Sequence, residues 1–175
     1  RIATEEQHRL SEALRQSALP MVMTNTDAKV TFLNTAFVQL MGYGTAELIG
    51  NPIIRLVPDD PASQQLHKDI VEQVATQGGW AGEIVRQAKD GTPIPVYATV
   101  AAIKDLSGRR TGHVANYLDL RPLKRQAEAL QASEARYHSI LDNAPDAVFI
   151  ASREGRYVYA NQQASRLLGY SVEEI

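Results

Sequence analysis

Over the first 120 residues, apolar positions alternate with polar ones in short runs at both ends and recur at helical spacing in between. Leu10 and Leu14 stand one turn apart behind Thr4, Glu5 and Glu6, which predicts a helix over about residues 4–16 that Pro20 terminates. Met21 to Thr24 and Val30 to Leu33 read as two strands of a hairpin, joined by the turn residues Asn25-Thr26-Asp27-Ala28. Asn34 is an N-cap for a helix through Met41, with Gly42 at its C-cap position, and Thr45 to Leu48 reads as a single turn. Pro58-Asp59-Asp60-Pro61 opens a longer helix to about Thr76, with Leu66, Ile70 and Val74 as its apolar stripe and Gly78-Gly79 at its end. Three strands follow, Trp80 to Gln87, Ile94 to Ile103 and Thr111 to Leu118, the first two joined by a turn containing Asp90-Gly91. On the last strand, alternation sets His113, Ala115 and Tyr117 on one face and Val114, Asn116 and Leu118 on the other. Two strands, helices, then three strands predict an α+β fold, an antiparallel sheet with helices packed on one face.

The chain also repeats itself. An offset of 127 residues places Arg9 on Arg136, Leu14 on Leu141, Asn34 on Asn161, Leu40 on Leu167, Gly42-Tyr43 on Gly169-Tyr170 and Glu47 on Glu174 without a gap. That period is too long for a solenoid and suits a domain of about 105 residues with a linker. Four segments result: a flanking helix over residues 1–18, a domain over 19–119, a helical linker over 120–142 and the start of a second domain over 143–175. The second copy stops where its first helices should begin, so it is expected to lack most of a core. Within the linker, Leu123, Ala127, Leu130, Glu134, Tyr137 and Leu141 follow a 4-3-4-3-4 spacing, a heptad seam with one acidic interruption.

Composition narrows the function. The 44% hydrophobic and 22% charged residues are those of a globular chain, and a formal charge of -2 leaves no basic footprint for nucleic acid. There is no cysteine, which excludes disulfides, thiolate nucleophiles and cysteine-ligated metals. No apolar run reaches the length of a membrane span, so the segment reads as cytoplasmic, without membrane contact of its own. No nucleophilic triad or glycine-rich phosphate loop appears, and Asp59-Asp60 is explained by the dipole of the helix it opens. No catalytic residue is assigned.

Several motifs in fixed order carry a resemblance. They are Asn34 with Gly42-Tyr43 and Glu47, then Val57-Pro58-Asp59-Asp60, Trp80-Ala81-Gly82-Glu83, Lys89-Asp90-Gly91 and Leu118-Asp119-Leu120. Together they resemble a PAS domain of the bacterial sensory-box kind over about residues 8–121, with the same pattern restarting near residue 135. The resemblance implies a five-stranded sheet cupping a small cavity, and a sensor that passes its signal through a terminal helix, with Asp119 and Leu123 at the exit. It implies downstream signalling domains in the same chain, such as a histidine kinase or a cyclic-di-GMP enzyme. In place of the Thr or Ser that commonly follows the exit aspartate at the second position stands Arg121.

The resemblance also sets the cofactor options: flavin, haem, a small metabolite, or none. Asn51, Trp80 and Tyr117 are the candidate cavity residues. Asn51 and Trp80 match flavin-binding relatives, whereas the Asn-Arg-Arg run before Lys-Asp-Gly is replaced by Arg86-Gln87-Ala88. Haem would require His67 on the long helix, whose place beside Leu66 suggests an exposed side chain instead. The alternative to a ligand-binding sensor is a ligand-free dimerisation module. It would have Met21, Met23, Phe37, Met41, Trp80 and Tyr117 packed inward, the N-terminal helix over the outer sheet face, and a homodimer built on Leu10, Leu14 and Leu130.

Overall fold

The computed structural model describes residues 2–171 and 174. The chain divides into two compact units, and the division falls between Pro122 and Leu123.

The first unit begins with helix α1, Ile2–Gln16, and the hairpin strands β1, Met21–Asn25, and β2, Val30–Leu33. Helices α2, Thr35–Met41, and α3, Thr45–Leu48, follow, then a single 3-10 turn, Ile53–Leu56, and the long helix α4, Pro61–Gln77. Strands β3, Gly79–Gln87, β4, Pro93–Lys104, and β5, Arg110–Asp119, complete a five-stranded antiparallel sheet of order β2-β1-β5-β4-β3. The sheet therefore closes in the middle by pairing its first and last strands, Val22 opposite Ala115 and Thr24 opposite His113.

Local chemistry accounts for the element ends. Asp60 caps α4 by accepting from the Ser63 amide at 2.9 Å, Pro61 occupies the first turn, and Gly78 ends the helix at φ 84°. At the tip of the first hairpin the Asn25 side chain accepts from the amides of Asp27 and Lys29, and Ala28 is held at φ 59°. This conformation costs an L-residue about 1 kcal/mol relative to glycine. In the repeat the same place is taken by Gly155, at φ 79°. Ala28→Gly is accordingly expected to raise the unfolding free energy by about 0.5–1 kcal/mol, read from the urea midpoint.

The core lies between the inner sheet face and the helices. Val22, Val30, Phe37, Met41, Leu48, Leu56, Ile70, Val74, Ile94, Val96 and Tyr117 are all buried there. Three expectations are corrected. Met21 and Met23 do not point inward, because Val22 and Thr24 take the buried positions of β1. Leu66 is 39% exposed, and the inward stripe of α4 is His67, Ile70 and Val74 at 3- and 4-residue spacing. Helix α1 packs against α2, and the outer sheet face keeps Val85, Tyr97 and Leu118 exposed, so α1 does not cover that patch.

Helix α5, Arg121–Asp142, is continuous, as the linker pattern predicts, and has no buried residue. The second unit adds the hairpin β6, Phe149–Ala151, and β7, Tyr157–Ala160, then helix α6, Gln162–Leu168. Here Tyr157 and Leu168 are exposed, whereas their equivalents Val30 and Met41 are buried in the first unit. The difference is physical: among the described residues the second unit has no counterpart of α4 or of β3 to β5 to cover them.

Candidate functional site

A partly open pocket of about 160 Å³ lies between α4 and the inner face of the sheet. Its apolar wall is made by Val22, Ile70, Val71, Val74, Val100 and Ala115. Strand alternation and helix spacing bring these residues together: β1 and β5 contribute every second residue, and α4 contributes one stripe.

Basic and hydroxyl side chains give the cavity its polarity. Arg86 comes from β3, Tyr117 and His113 from β5, and His67 from α4. Arg86 is only 5% exposed, and its Nε donates to the Tyr117 hydroxyl at 3.2 Å. Its guanidinium lies 5.6 Å from the centre of the Tyr117 ring, and Phe37 backs that ring at 5.6 Å. His67 has a buried Nδ1 with no hydrogen-bond partner among the described residues. His113 Nδ1 stands 3.4 Å from the Thr24 hydroxyl. Arg110 lies in the same lining.

Burial pushes the pKa of His67 down, and the charge of Arg86 pushes it the same way. His113 is lowered by burial and by Arg110. Both rings are therefore held neutral in the fold more firmly than in the unfolded chain, whose histidines titrate near 6.5. Stability is expected to fall as the pH drops below 6.5, where the unfolded state takes up protons that the folded rings resist. Asp60, Asp90 and Asp105, held below their ordinary 3.8 by hydrogen bonds, add their loss only at lower pH. His67→Gln should flatten the slope that sets in below pH 6.5, measured as urea midpoints from neutral pH downward.

Of the residues singled out from sequence, Tyr117 and His67 are in the cavity wall. Asn51 is not: its side-chain amide donates to the Glu47 carbonyl at 2.9 Å, which closes the turn after α3. Trp80 is not in the wall either. Its ring lies over Gly82, whose missing side chain makes the room, since a Cβ there would stand 2.8 Å from the indole. Arg86 was missed as a site residue. The available signal was alternation, because Trp80, Gly82, Ile84 and Arg86 share the inward face of β3.

The exit from the site is direct. Tyr117 is two residues from Asp119, where β5 ends, and α5 starts at Arg121. The Asp119 carboxylate accepts from the Arg121 amide at 2.9 Å, and from its guanidinium through Nε at 3.0 Å and Nη2 at 2.7 Å. Arg121 thus supplies by ion pairing what the hydroxyl residue of the common pattern would supply by hydrogen bonding. Leu123, the third residue of the helix, is 63% exposed.

A cavity of about 150 Å³ holds one benzene ring, and sites for larger ligands run from about 300 Å³ upward. The three fused rings of a flavin and the macrocycle of a haem do not fit the space as it stands.

PAS domain models match residues 18–121 and, for a shorter stretch, residues 135–175. The chain belongs to the PAS domain family. The PAS domain of a protein from Colwellia psychrerythraea superposes with a TM-score of 0.60 at 21% identity, covering 65% of this chain and 96% of that one. Two curated proteins are similar in sequence. The nitrogen fixation regulatory protein of Klebsiella pneumoniae is 23% identical over 149 residues, which is 85% of this chain and 30% of that protein. The oxygen sensor protein DosP of Escherichia coli is 26% identical over 168 residues, 93% of this chain and 20% of that protein. The chain thus spans less than a third of either relative's length. No helix among the described residues is long and apolar enough to cross a membrane.

Proposed function

We propose that residues 19–119 are the ligand-sensing PAS module of a larger bacterial signalling protein, and that α5 carries the signal onward. The observation behind this reading is the position of the cavity. Its polar wall residue Tyr117 lies on the strand that runs into α5, two residues before the Asp119–Arg121 clasp. A molecule that changes the packing of Tyr117 acts on the root of the helix without crossing any other element. Regulators and sensors among the relatives favour a sensory role, and a histidine kinase or cyclic-di-GMP enzyme is the output we expect beyond this segment, in a cytoplasmic setting.

The test is hydrogen exchange on the chain with and without a saturating small ligand. Occupancy should slow exchange in β5 and alter it in residues 119–125. A ligand that protects the cavity wall and leaves the start of α5 unchanged overturns the proposed output route.

A second reading, a homodimer formed through the helices, is favoured by one feature. Leu123, Leu130 and Tyr137 recur every seven residues along α5, each more than half exposed, and Leu10 is 62% exposed on α1. A second copy of the chain would bury such a seam. Leu130→Glu is expected to shift the sedimentation of the chain from dimer to monomer at micromolar concentration. A wild-type chain that sediments as a monomer throughout overturns this reading.

A further inference from the structure

Every charged residue in the cavity wall is a base. Arg86 and Arg110 carry positive charge, His67 and His113 add two imidazoles, and among the described residues neither Asp nor Glu lines the space. Arg86 is the unusual member. As a residue it is only 5% exposed, and an arginine so far inside a fold ordinarily has a carboxylate partner. Among the described residues Arg86 forms no ion pair, and its one hydrogen bond is the donation from Nε to Tyr117. Its two terminal nitrogens, the half of the fork suited to bidentate recognition, are left for another acceptor.

The neighbouring groups complete that acceptor's surroundings. The Tyr117 oxygen accepts from Arg86, so its own O–H is available to donate. His67 Nδ1 is buried without a partner and, as the Nδ1–H tautomer of a neutral ring, is a third donor beside the same charge. The remainder of the wall is aliphatic and has room for about one ring.

Resting on the ligand-sensing reading of the cavity, we propose that it takes a small monocarboxylate with a single-ring or short aliphatic body. Its carboxylate lies against Arg86, Tyr117 and His67, and its body lies among Val22, Ile70 and Val74. A cation is repelled by both arginines. A neutral molecule of the same shape leaves Arg86 without an ion pair. A polyanion such as a phosphate ester brings more charge than one buried guanidinium and an aliphatic wall can match.

Calorimetric titration of the 175-residue chain with sodium benzoate and sodium hexanoate, and with benzyl alcohol and hexanol as neutral counterparts, tests this. The acids are expected to bind at least tenfold more tightly than the alcohols, a difference of about 1.4 kcal/mol. Arg86→Met should abolish that preference while keeping alcohol binding, and Tyr117→Phe should reduce it severalfold with Arg86 intact. If R86M does not fold, the acid-to-alcohol ratio of the wild type and of Y117F decides. Alcohols that bind as tightly as the acids, or benzoate binding undiminished in folded R86M, overturn the carboxylate assignment and leave ligand sensing standing. Failure of all four probes to bind overturns both.

Discussion

Asn34→Ala is expected to lower the unfolding free energy of the first unit by about 3 kcal/mol and its melting temperature by about 10 °C. One buried side chain ties three segments together. Its Oδ1 accepts from the Phe37 amide at 3.0 Å, capping α2, and from the Met21 amide at 2.9 Å, fixing the start of β1. Its Nδ2 donates to the carbonyls of Leu14, Ser17 and Leu19, at 3.4, 3.2 and 2.8 Å, where α1 turns into the sheet. Alanine removes a cap worth about 1 kcal/mol and leaves amide and carbonyl groups without partners, at about 1 kcal/mol or more each. Asn34→Asp separates the two roles. It keeps the acceptor that caps α2 but sets a carboxylate oxygen against three carbonyls, so it should be no more stable than alanine. Urea unfolding followed by circular dichroism checks both.

The second unit repeats four of these five Asn34 bonds. Asn161 accepts from Val148 and Ala164 and donates to Leu141 and Asp146, each 127 residues from its counterpart. The end of α5 thereby stands to the second unit as the end of α1 stands to the first. Asn161→Ala should accordingly speed hydrogen exchange around residues 141–148.

The other large effect is expected at Gly112. A Cβ on this residue would lie 2.1 Å from the Thr24 carbonyl oxygen, across the β1–β5 pairing that closes the sheet. The obstacle is backbone, so no rotamer change relieves it, and the strands must separate. Gly112→Ala is expected to cost about 3 kcal/mol. It should also break the contact between Thr24 and His113 at the cavity wall. A lowered urea midpoint together with a shifted His113 ring signal is the expected pair of readouts, and an unchanged midpoint would overturn the account.

The arrangement of elements was largely legible in the chain because local signals coincide with element ends. Asn34, Asp60, Gly42 and Gly78 sit where caps are needed, and their hydrogen bonds or left-handed angles are local properties. The five strands were legible through alternation and turn residues, and the linker through its heptad spacing. The cavity was legible only in part. Tyr117 and its face-mates follow from period-2 alternation within one strand. Arg86, on the other side of the site, was read only as a departure from a flavin pattern, because nothing local to β3 says which ring or helix will face it.

The sequence by itself determined the family, the order of strands and helices, the repeat at 127 residues and the single helix that follows the first domain. These depend on hydrophobic period, capping and turn chemistry, all of which act over a few residues. Tertiary structure alone decided that His67 rather than Leu66 turns inward, that Met21 and Met23 lie on the outer face, and that Trp80 covers Gly82 instead of lining the cavity. It also brought Arg86, from β3, against Tyr117, from β5, across the intervening β4. The PAS resemblance, carried by motifs along the first 121 residues, survives this comparison intact, while the chemistry of its cavity rests on which faces meet when α4 closes over the sheet.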